Sequence, residues 1–294
     1  MFINAIARAA EFTRPIHFIT RRLGSPDVLP GAGTLFFVNA DGWALTCKHV
    51  AQELVGADQL RTRYAAFKAE RAAIPGGQTS RQPFRELERH YGFTAASTVE
   101  SLNSFVGCVE GTVEIDLRMH ATLDVALLHF RNFTRLLCTA FPVFAADGRL
   151  LRQGKSLCRL GFPFPEFNNF EYDAQADEIR WTSAGRAQSP QFPIDGMVTR
   201  HLGDASGQIT GFEMSTPGLR GQSGGPAFDV DGRVWGMQSA TNHLDLDFDV
   251  DLDVLRSGVS RRVKDSAFLH VGHCLHVDVL KQFMHEHGVR FGEA

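Results

Sequence analysis

The sequence predicts an all-β fold whose short strands form a barrel. Gly33 to Leu45 reads as an apolar strand, an Asp41-Gly42 turn and a second apolar strand, which is the pattern of a β-hairpin. Beyond residue 150, several short apolar segments are separated by Gly, Pro and Asp turns, a pattern typical of barrels rather than of βαβ units. With 294 residues, 44% of them hydrophobic and 21% charged, the chain is long enough to bury a large core.

The first half of the chain supplies further strands on either side of that hairpin. Residues 1–30 predict a short helix or arm that leads into a strand at Ile16–Thr20. Val113–His120 alternates apolar and charged residues, which indicates a half-exposed strand. In Leu123–Leu128 a single aspartate, Asp124, opens a continuous apolar run, so we expect Asp124 at the mouth of a buried strand.

The second half predicts strands and one closing helix. Ile209–Met214 and Phe268–Val277 read as strands. Asp278 is placed to cap a final helix over Val279–His287, which Gly288 ends.

Two clusters of ligand-type residues in this half are interpreted as strand surface. In Asp245–Asp253 five aspartates alternate with other residues, and a period of two places all five carboxylates on one strand face. No glycine for a sharp turn and no closing glutamate complete a calcium loop there, so we expect a solvated edge that could face a basic partner or peptide. His273, Cys274 and His276 lack a second cluster with zinc spacing.

The segment Gly218–Pro226 carries the strongest signal for chemistry. It contains Gly-Gln-Ser-Gly-Gly-Pro, and four glycines around one serine allow backbone conformations that a Cβ would forbid. A turn of this kind exposes the Oγ of Ser223 and lets the amides of Gly221 and Ser223 point at one spot, as an oxyanion hole requires. By itself, this composition also fits an ordinary Gly-rich hairpin turn.

Two other residues favour the chemical interpretation. His49 follows the hairpin strands, and Asp124 opens the buried strand. A serine nucleophile needs a base to take its proton, and that base needs a carboxylate to fix its tautomer. His49, Asp124 and Ser223 occur in that order, each in a suitable local setting.

These motifs resemble those of the trypsin-like serine peptidases, and most of all the bacterial branch that includes the high-temperature-requirement proteases. The resemblance covers roughly residues 30–280 and is strongest at His49, Asp124 and Gly221–Pro226. Weaker similarity extends to Gly154–Pro163, Gly196–Thr199 and Val234–Ala240. No PDZ-like module follows, so the regulation that such a module gives many of these proteases is not carried over.

The resemblance implies a chymotrypsin-like fold of two six-stranded antiparallel β-barrels with a C-terminal helix. Residues 1–294 are then one peptidase domain, with a first barrel at about 15–135, a second at about 140–277 and the helix at 278–288. It also implies serine endopeptidase chemistry, in which Ser223 attacks, His49 transfers the proton and Asp124 holds the imidazole. The amides of Gly221 and Ser223 would stabilise the oxyanion, and no metal or organic cofactor is needed.

The resemblance also locates a substrate pocket and a difference in regulation. Pro217 aligns with the pocket floor, and Gln238, Ser239 and Ala240 would form one wall. Because Pro217 is not acidic, we expect a small or medium apolar P1 residue rather than Arg or Lys. Gln222 carries no charge to pair with a new N-terminal ammonium, so we predict no activation by N-terminal clipping.

Residues 56–104 are the part least like the family, and we interpret them as a helical insertion in the first barrel. Arg61–Ala73 predicts a helix that Pro75-Gly76-Gly77 ends, after a short helical turn at Ala51–Val55. Pro83–Tyr91 predicts a second helix. The insertion is interpreted as a surface excursion, and the alternative is a lid or a docking element for a partner.

Composition restricts the remaining function classes. A net charge of −3 argues against nucleic-acid binding by bulk charge, and no apolar run is long enough to span a membrane. The N-terminus lacks a secretion signal, and five cysteines without a CxxC pair fit a reduced, cytoplasmic chain. We expect a protein or peptide substrate, and an activating protein partner is an open alternative. The alternative functions are a partner-activated protease effector and an inactive pseudopeptidase that binds peptides.

Overall fold

A computed structural model describes residues 1–74 and 81–294. The described residues of the first half form three helices and nine strands: α1 Ile3–Phe12, β1 Thr13–Arg22, β2 Val28–Phe37, β3 Trp43–Thr46, α2 Lys48–Ala73, α3 Arg81–His90, β4 Thr98–Ser104, β5 Val109–Glu110, β6 Glu114–Met119, β7 Ala126–Arg131, β8 Arg135–Leu136 and β9 Val143–Phe144. After a short 3-10 helix at Gly148–Leu150, the second half contains nine strands and one helix: β10 Ser156–Gly161, β11 Phe170–Asp173, β12 Glu178–Trp181, β13 Phe192–Gly203, β14 Ile209–Met214, β15 Pro226–Phe228, β16 Arg233–Arg256, β17 Val259–His276, α4 Val277–Glu286 and β18 Gly292–Glu293.

The first-half sheet is a curled, six-stranded antiparallel sheet in the order β4-β1-β2-β3-β7-β6. Strands β2 and β3 form the hairpin around Asp41-Gly42, with Phe36 opposite Leu45. Gly42 has φ +87°, which suits its place in the tight turn. Strand β3 pairs in turn with β7, and Thr46 lies opposite Ala126. This pairing places the ends of β3 and β7 side by side.

The second-half sheet closes into a ring. Its order runs β15-β10-β13-β14-β17-β16, and an additional pairing of β15 with β16 joins the two ends of this six-stranded antiparallel series. Strand β16 also pairs in parallel with β9, which pairs in parallel with β18. The predicted all-β fold with a C-terminal helix is confirmed, and the two parallel strands are an addition that the sequence does not indicate.

A single apolar core joins the two sheets. Fully buried phenylalanines from both halves belong to one contact cluster: Phe36, Phe144, Phe212 and Phe228. Helix α1 adds one face to this cluster through Ala5, Ala9 and Phe12. Among the described residues, no helix has the length and apolar character needed to cross a bilayer.

The inserted region differs from the prediction in two ways. The helical turn and the separate helix predicted after His49 form one continuous 26-residue helix, α2. Gly56 interrupts the pattern but not the helix, because Tyr64 and Phe67 are anchored against Phe93 and Val99. The interval 56–104 is also too long for an insertion, because β4 at its end pairs with β1. The predicted stop at Pro75-Gly76-Gly77 lies outside the described residues, whereas α3 confirms the second helix.

Strands β16 and β17 form a long hairpin that extends beyond the ring. Its carboxylates are solvent-exposed, as predicted, but the five do not form one uninterrupted row. The register shifts between Asp245 and Asp249, and Asp247 has φ +56° in the intervening bulge. Beyond the bulge the aspartates face basic residues of the same hairpin, since Asp251 lies opposite Lys264 and forms an ion pair with Arg262.

The cap of the C-terminal helix also differs from the prediction. The side chain of His276, rather than that of Asp278, accepts the capping hydrogen bond, which the backbone N–H of Asp278 donates. Asp278 instead lies in the first turn of α4, where a carboxylate stabilises the helix dipole. His276 and Cys274 are buried at the end of β17, in agreement with the interpretation of this segment as strand.

Candidate active site

His49 and Asp124 meet where β3 and β7 lie side by side. His49 is in the first turn of α2, and Asp124 is in the loop before β7. The imidazole Nδ1 lies 3.0 Å from Oδ1 and 2.9 Å from Oδ2 of Asp124, and the backbone N–H of His49 donates to Oδ1 at 3.0 Å. These contacts favour the tautomer with the proton on Nδ1, so the exposed Nε2 is left free to act as a base.

A second donor completes the environment of Asp124. The hydroxyl of Ser239 donates to Oδ2 of Asp124 at 2.5 Å. Burial alone would raise the pKa of Asp124, but hydrogen bonds from His49 and Ser239 outweigh it and hold the pKa below its ordinary value. The same hydrogen bond to Asp124 raises the pKa of His49. The pair is therefore arranged to stabilise an imidazolium next to a carboxylate.

Ser223 lies in the turn between β14 and β15, next to Ser239 of β16. Its hydroxyl donates to the backbone carbonyl of Ser239 at 3.1 Å, and no hydrogen bond joins it to His49 among the described residues. Ser239 thus contacts Asp124 through its side chain and Ser223 through its carbonyl oxygen. A rotation about χ1 of Ser223 would redirect the Oγ, and such looser geometry is common before substrate binds.

The two amides proposed for the oxyanion hole have no internal partner. Neither the N–H of Gly221 nor that of Ser223 donates a hydrogen bond within the described part of the chain. Gly221 has φ +88°, and a Cβ there would lie 2.5 Å from the carbonyl oxygen of Phe162. The hydroxyl of Thr34 donates to the Gly221 carbonyl at 2.6 Å, and the Thr34 N–H donates to the Ser223 carbonyl at 3.0 Å. Strand β2 therefore holds the loop on the carbonyl side and leaves both amides available.

Gln222 holds this loop from within. Its side chain is fully buried, accepts from the Leu219 N–H at 3.1 Å and donates to the Phe192 carbonyl at 3.1 Å. A neutral amide with both ends satisfied orders the loop without an ion pair, which is consistent with the predicted lack of activation by N-terminal clipping.

The four residues predicted for the substrate pocket line one cavity. Pro217, Gln238, Ser239 and Ala240 surround a space of about 430 Å³ that reaches Ser223. The sequence indicates these positions but not the side chain behind them. Arg159 of β10 is fully buried and donates to the carbonyl oxygen of Pro217 at 3.0 Å. An arginine inside the otherwise apolar segment Ser156–Gly161 was the available signal.

The triad region also holds a set of potential metal ligands. Cys47, His49 and Asp124 place one ligand atom each within 4.8 Å of one another. Burial raises the pKa of Cys47 well above its ordinary value, and the nearby Asp124 carboxylate raises it further. Because Cys47 stays a thiol and donates to the Gln238 carbonyl at 3.2 Å, it fits a structural contact better than a metal ligand.

Comparison with solved structures finds several similar proteases. The HtrA-type protease AlgW, solved with a decapeptide, is 13% identical with a TM-score of 0.49 over 98% of this chain and 69% of that one. AlgW solved with a tripeptide is 14% identical with a TM-score of 0.49, covering 98% of this chain and 65% of the AlgW chain. The active form of the Rv3671c protease from M. tuberculosis is 14% identical with a TM-score of 0.48, covering 99% and 87%. No curated protein sequence matches the chain.

The family assignment rests on a sequence model that covers most of the chain. The model of the trypsin-like peptidase domain matches residues 33–237, which include His49, Asp124 and Ser223. This protein belongs to the trypsin-like peptidase family.

Proposed function

We propose that the chain, acting as one peptidase domain, is a serine endopeptidase that cleaves peptide bonds through His49, Asp124 and Ser223. One observation carries the proposal: Ser239 links the His49–Asp124 pair to Ser223. Oδ2 of Asp124 lies 2.9 Å from Nδ1 of His49 and accepts a hydrogen bond from the Ser239 hydroxyl, while the Ser239 carbonyl accepts one from Ser223. Ser223 and Ser239 also line a cavity that is large enough for a substrate side chain.

The reaction would proceed in two halves. Ser223 Oγ attacks the scissile carbonyl while His49 Nε2 takes its proton, and the amides of Gly221 and Ser223 bind the resulting oxyanion. His49 then gives that proton to the leaving amine as the C–N bond breaks, which leaves an acyl-enzyme on Ser223. Water, deprotonated by His49, attacks the ester and releases the new carboxyl terminus, restoring Ser223.

Two features of the loop favour activity without a protein partner. The amides of Gly221 and Ser223 are not bonded to other described groups, so the hole is not filled from within. Gln222 and Thr34 already supply the contacts that order the loop. A partner-activated protease would need its partner to create these contacts. A pseudopeptidase would have no need of an unoccupied oxyanion hole.

The test is covalent labelling by a fluorophosphonate probe. Wild type should be labelled at Ser223, Ser223→Ala should not be, and His49→Ala should be labelled more slowly by several orders of magnitude. Ser260→Ala, a change at an exposed hydroxyl of the distal hairpin, is the matched control and should be labelled like wild type. A folded wild type that resists the probe would contradict the proposal and favour the inactive, peptide-binding alternative.

A further inference from the structure

Arg159 places a buried positive charge beneath the substrate pocket. Its side chain is 0% exposed, and among the described residues no carboxylate forms an ion pair with it. Guanidinium groups are rarely fully buried without an acidic partner, because removing the charge from water costs several kcal/mol. Burial lowers the pKa of Arg159, but an arginine keeps its proton in proteins.

The hydrogen bonds that Arg159 donates all go to neutral groups of Thr216, Pro217 and Gln238. Nη2 donates to the carbonyl of Thr216 at 2.9 Å, to its hydroxyl at 2.7 Å and to the carbonyl of Pro217 at 3.0 Å. Nη1 donates to Oε1 of Gln238 at 2.5 Å, and Nε has no partner. Neutral acceptors satisfy part of the hydrogen-bonding capacity, but they leave the net charge unbalanced.

The pocket wall is built around this side chain. Gln238, which lines the cavity, is held between Arg159 at its Oε1 and the Ala240 carbonyl, to which its Nε2 donates at 2.6 Å. Gly272 of β17 passes so close to the guanidinium that a Cβ there would lie 2.0 Å from Nη1 of Arg159. The arginine therefore lies directly behind the wall that a substrate side chain would contact.

The lining of the cavity is complementary to negative charge. Arg220, His243 and His270 are among the residues that line it, and none of the described lining residues is acidic. Of the carboxylates near this wall, Asp124 pairs with His49 and Glu213 pairs with Arg200. Neither is available to balance Arg159.

We infer that this pocket selects an acidic P1 residue, and that Arg159 is the specificity-determining residue. The inference rests on the proposed function, because it assigns the substrate class of the same site. A glutamate or aspartate side chain entering the cavity supplies the counter-charge that the fold omits, in surroundings where charges attract strongly. A P1 lysine or arginine meets repulsion. This replaces the small or medium apolar P1 expected from Pro217 alone, because the charge comes from β10 rather than from the aligned floor position.

The first experiment compares matched fluorogenic peptides that differ only at P1. Glu and Gln form the decisive pair, since they share size and differ in charge, and Leu and Lys extend the series. We expect kcat/KM for P1 Glu to exceed that for Gln by about tenfold or more, the range of close charge pairs at interfaces, with Lys the poorest. Equal or better cleavage after Gln or Leu would overturn the inference while leaving the proposed peptidase intact.

Variants of Arg159 assign the preference to this side chain. Arg159→Met keeps length without charge and should reduce the Glu-to-Gln ratio to about one, whereas Arg159→Lys should retain part of it. Fluorophosphonate labelling of each variant reports the folded nucleophile loop without using the acidic P1 contact. A variant that labels normally and still prefers Glu would exclude Arg159 as the source.

A binding measurement tests the pocket without turnover. Ser223→Ala is titrated with short product peptides that end in Glu or in Gln, and their dissociation constants are compared by calorimetry. The Glu peptide should bind about tenfold more tightly, and Arg159→Met in the same background should remove the difference. Equal binding of the Glu and Gln peptides to the Ser223→Ala protein would overturn the acidic-P1 inference, whether or not the wild type cleaves peptides. A wild type that shows neither cleavage nor labelling would separately contradict the proposed peptidase.

Discussion

The two ends of the β16–β17 hairpin have different roles although they belong to the same pair of strands. The root, residues 233–243 and 270–276, is part of the closed ring and provides Gln238, Ser239 and the buried Cys274. The tip, residues 244–269, carries charged and apolar side chains that are exposed, with Leu255 73% exposed. Strand pairing alone thus does not make a site. The root borders the candidate active site because the loop that carries Ser223 is hydrogen-bonded to it: the Gly224 N–H donates to the Gln238 carbonyl, and the Gln238 N–H donates to the Gly225 carbonyl.

The largest effect that tests this contrast is expected at Asp124, which the root holds through Ser239. Asp124→Asn keeps the shape but favours the wrong imidazole tautomer and removes the charge that stabilises the imidazolium. We expect kcat to fall by about 10⁴-fold, as in other Ser-His-Asp enzymes. Steady-state kinetics with a peptide substrate measures the fall, and Asp251→Asn at the tip is the control that should leave kcat unchanged. A fall of less than about tenfold would mean that Asp124 does not orient His49.

The next effect compares two glycines with positive φ, one in the nucleophile loop and one at the tip. Gly221→Ala places a Cβ 2.5 Å from the Phe162 carbonyl, whereas Gly258→Ala, with φ +77°, meets nothing within 4 Å. Both substitutions strain the backbone, because alanine is disfavoured at positive φ, but only Gly221→Ala must displace an amide proposed for the oxyanion hole. We expect kcat/KM to fall by about 10²–10³-fold for Gly221→Ala and to stay unchanged for Gly258→Ala. Equal kinetics for the two would remove Gly221 from the oxyanion hole.

A smaller effect is a displacement along the pH axis. The Asp124 carboxylate raises the pKa of His49, and the base works only as neutral imidazole, so kcat/KM should be lost as the pH falls through that raised pKa. Asp124→Asn lacks the carboxylate that raises the pKa of His49, so the acidic limb of its pH profile should move to lower pH. Profiles of kcat/KM against pH for both proteins measure the shift. A limb that stays in place would assign the titration to another group.

The smallest effect is expected when the tip is removed. Replacing residues 245–268 with an Asn-Gly turn joins the paired residues Leu244 and Leu269 through a two-residue hairpin loop. Because the tip contributes few buried contacts, we expect Tm to change by about 2 °C or less and the rate of fluorophosphonate labelling to remain within about twofold. A large loss of labelling would show that the tip supports the root, and the contrast between the two regions would fail.

The sequence predicts those parts of the molecule whose structure depends on neighbouring residues. The hairpin around Gly42, the strand Ile209–Met214 and the serine turn each follow from adjacent residues, so their elements are found where expected. The continuity of α2 was missed because Gly56 lowers local helix propensity, whereas the anchoring of Tyr64 and Phe67 depends on residues about thirty positions away.

Contacts between residues that are far apart in the sequence limit how much of the site the sequence predicts. Ser239 is predicted as part of the pocket wall, but its hydrogen bond to Asp124 joins residues 115 positions apart and has no local signature. Arg159 is similar, because only the folded ring shows that it lies behind Gln238 without a carboxylate partner. The catalytic roles of His49, Asp124 and Ser223 are predictions that the labelling experiment tests.

The five cysteines have a practical consequence. All are free and buried. Cys158 and Cys274 lie in strands of the closed ring, Cys47 precedes α2, and Cys108 and Cys138 lie in loops next to β5 and β8. Burial raises the pKa of each, so a thiol-specific reagent finds almost no thiolate in the native chain. In the unaltered protein, the order in which the thiols become alkylated would therefore report which region opens first: the closed ring at Cys158 and Cys274, the loops at Cys108 and Cys138, or the surroundings of His49 at Cys47.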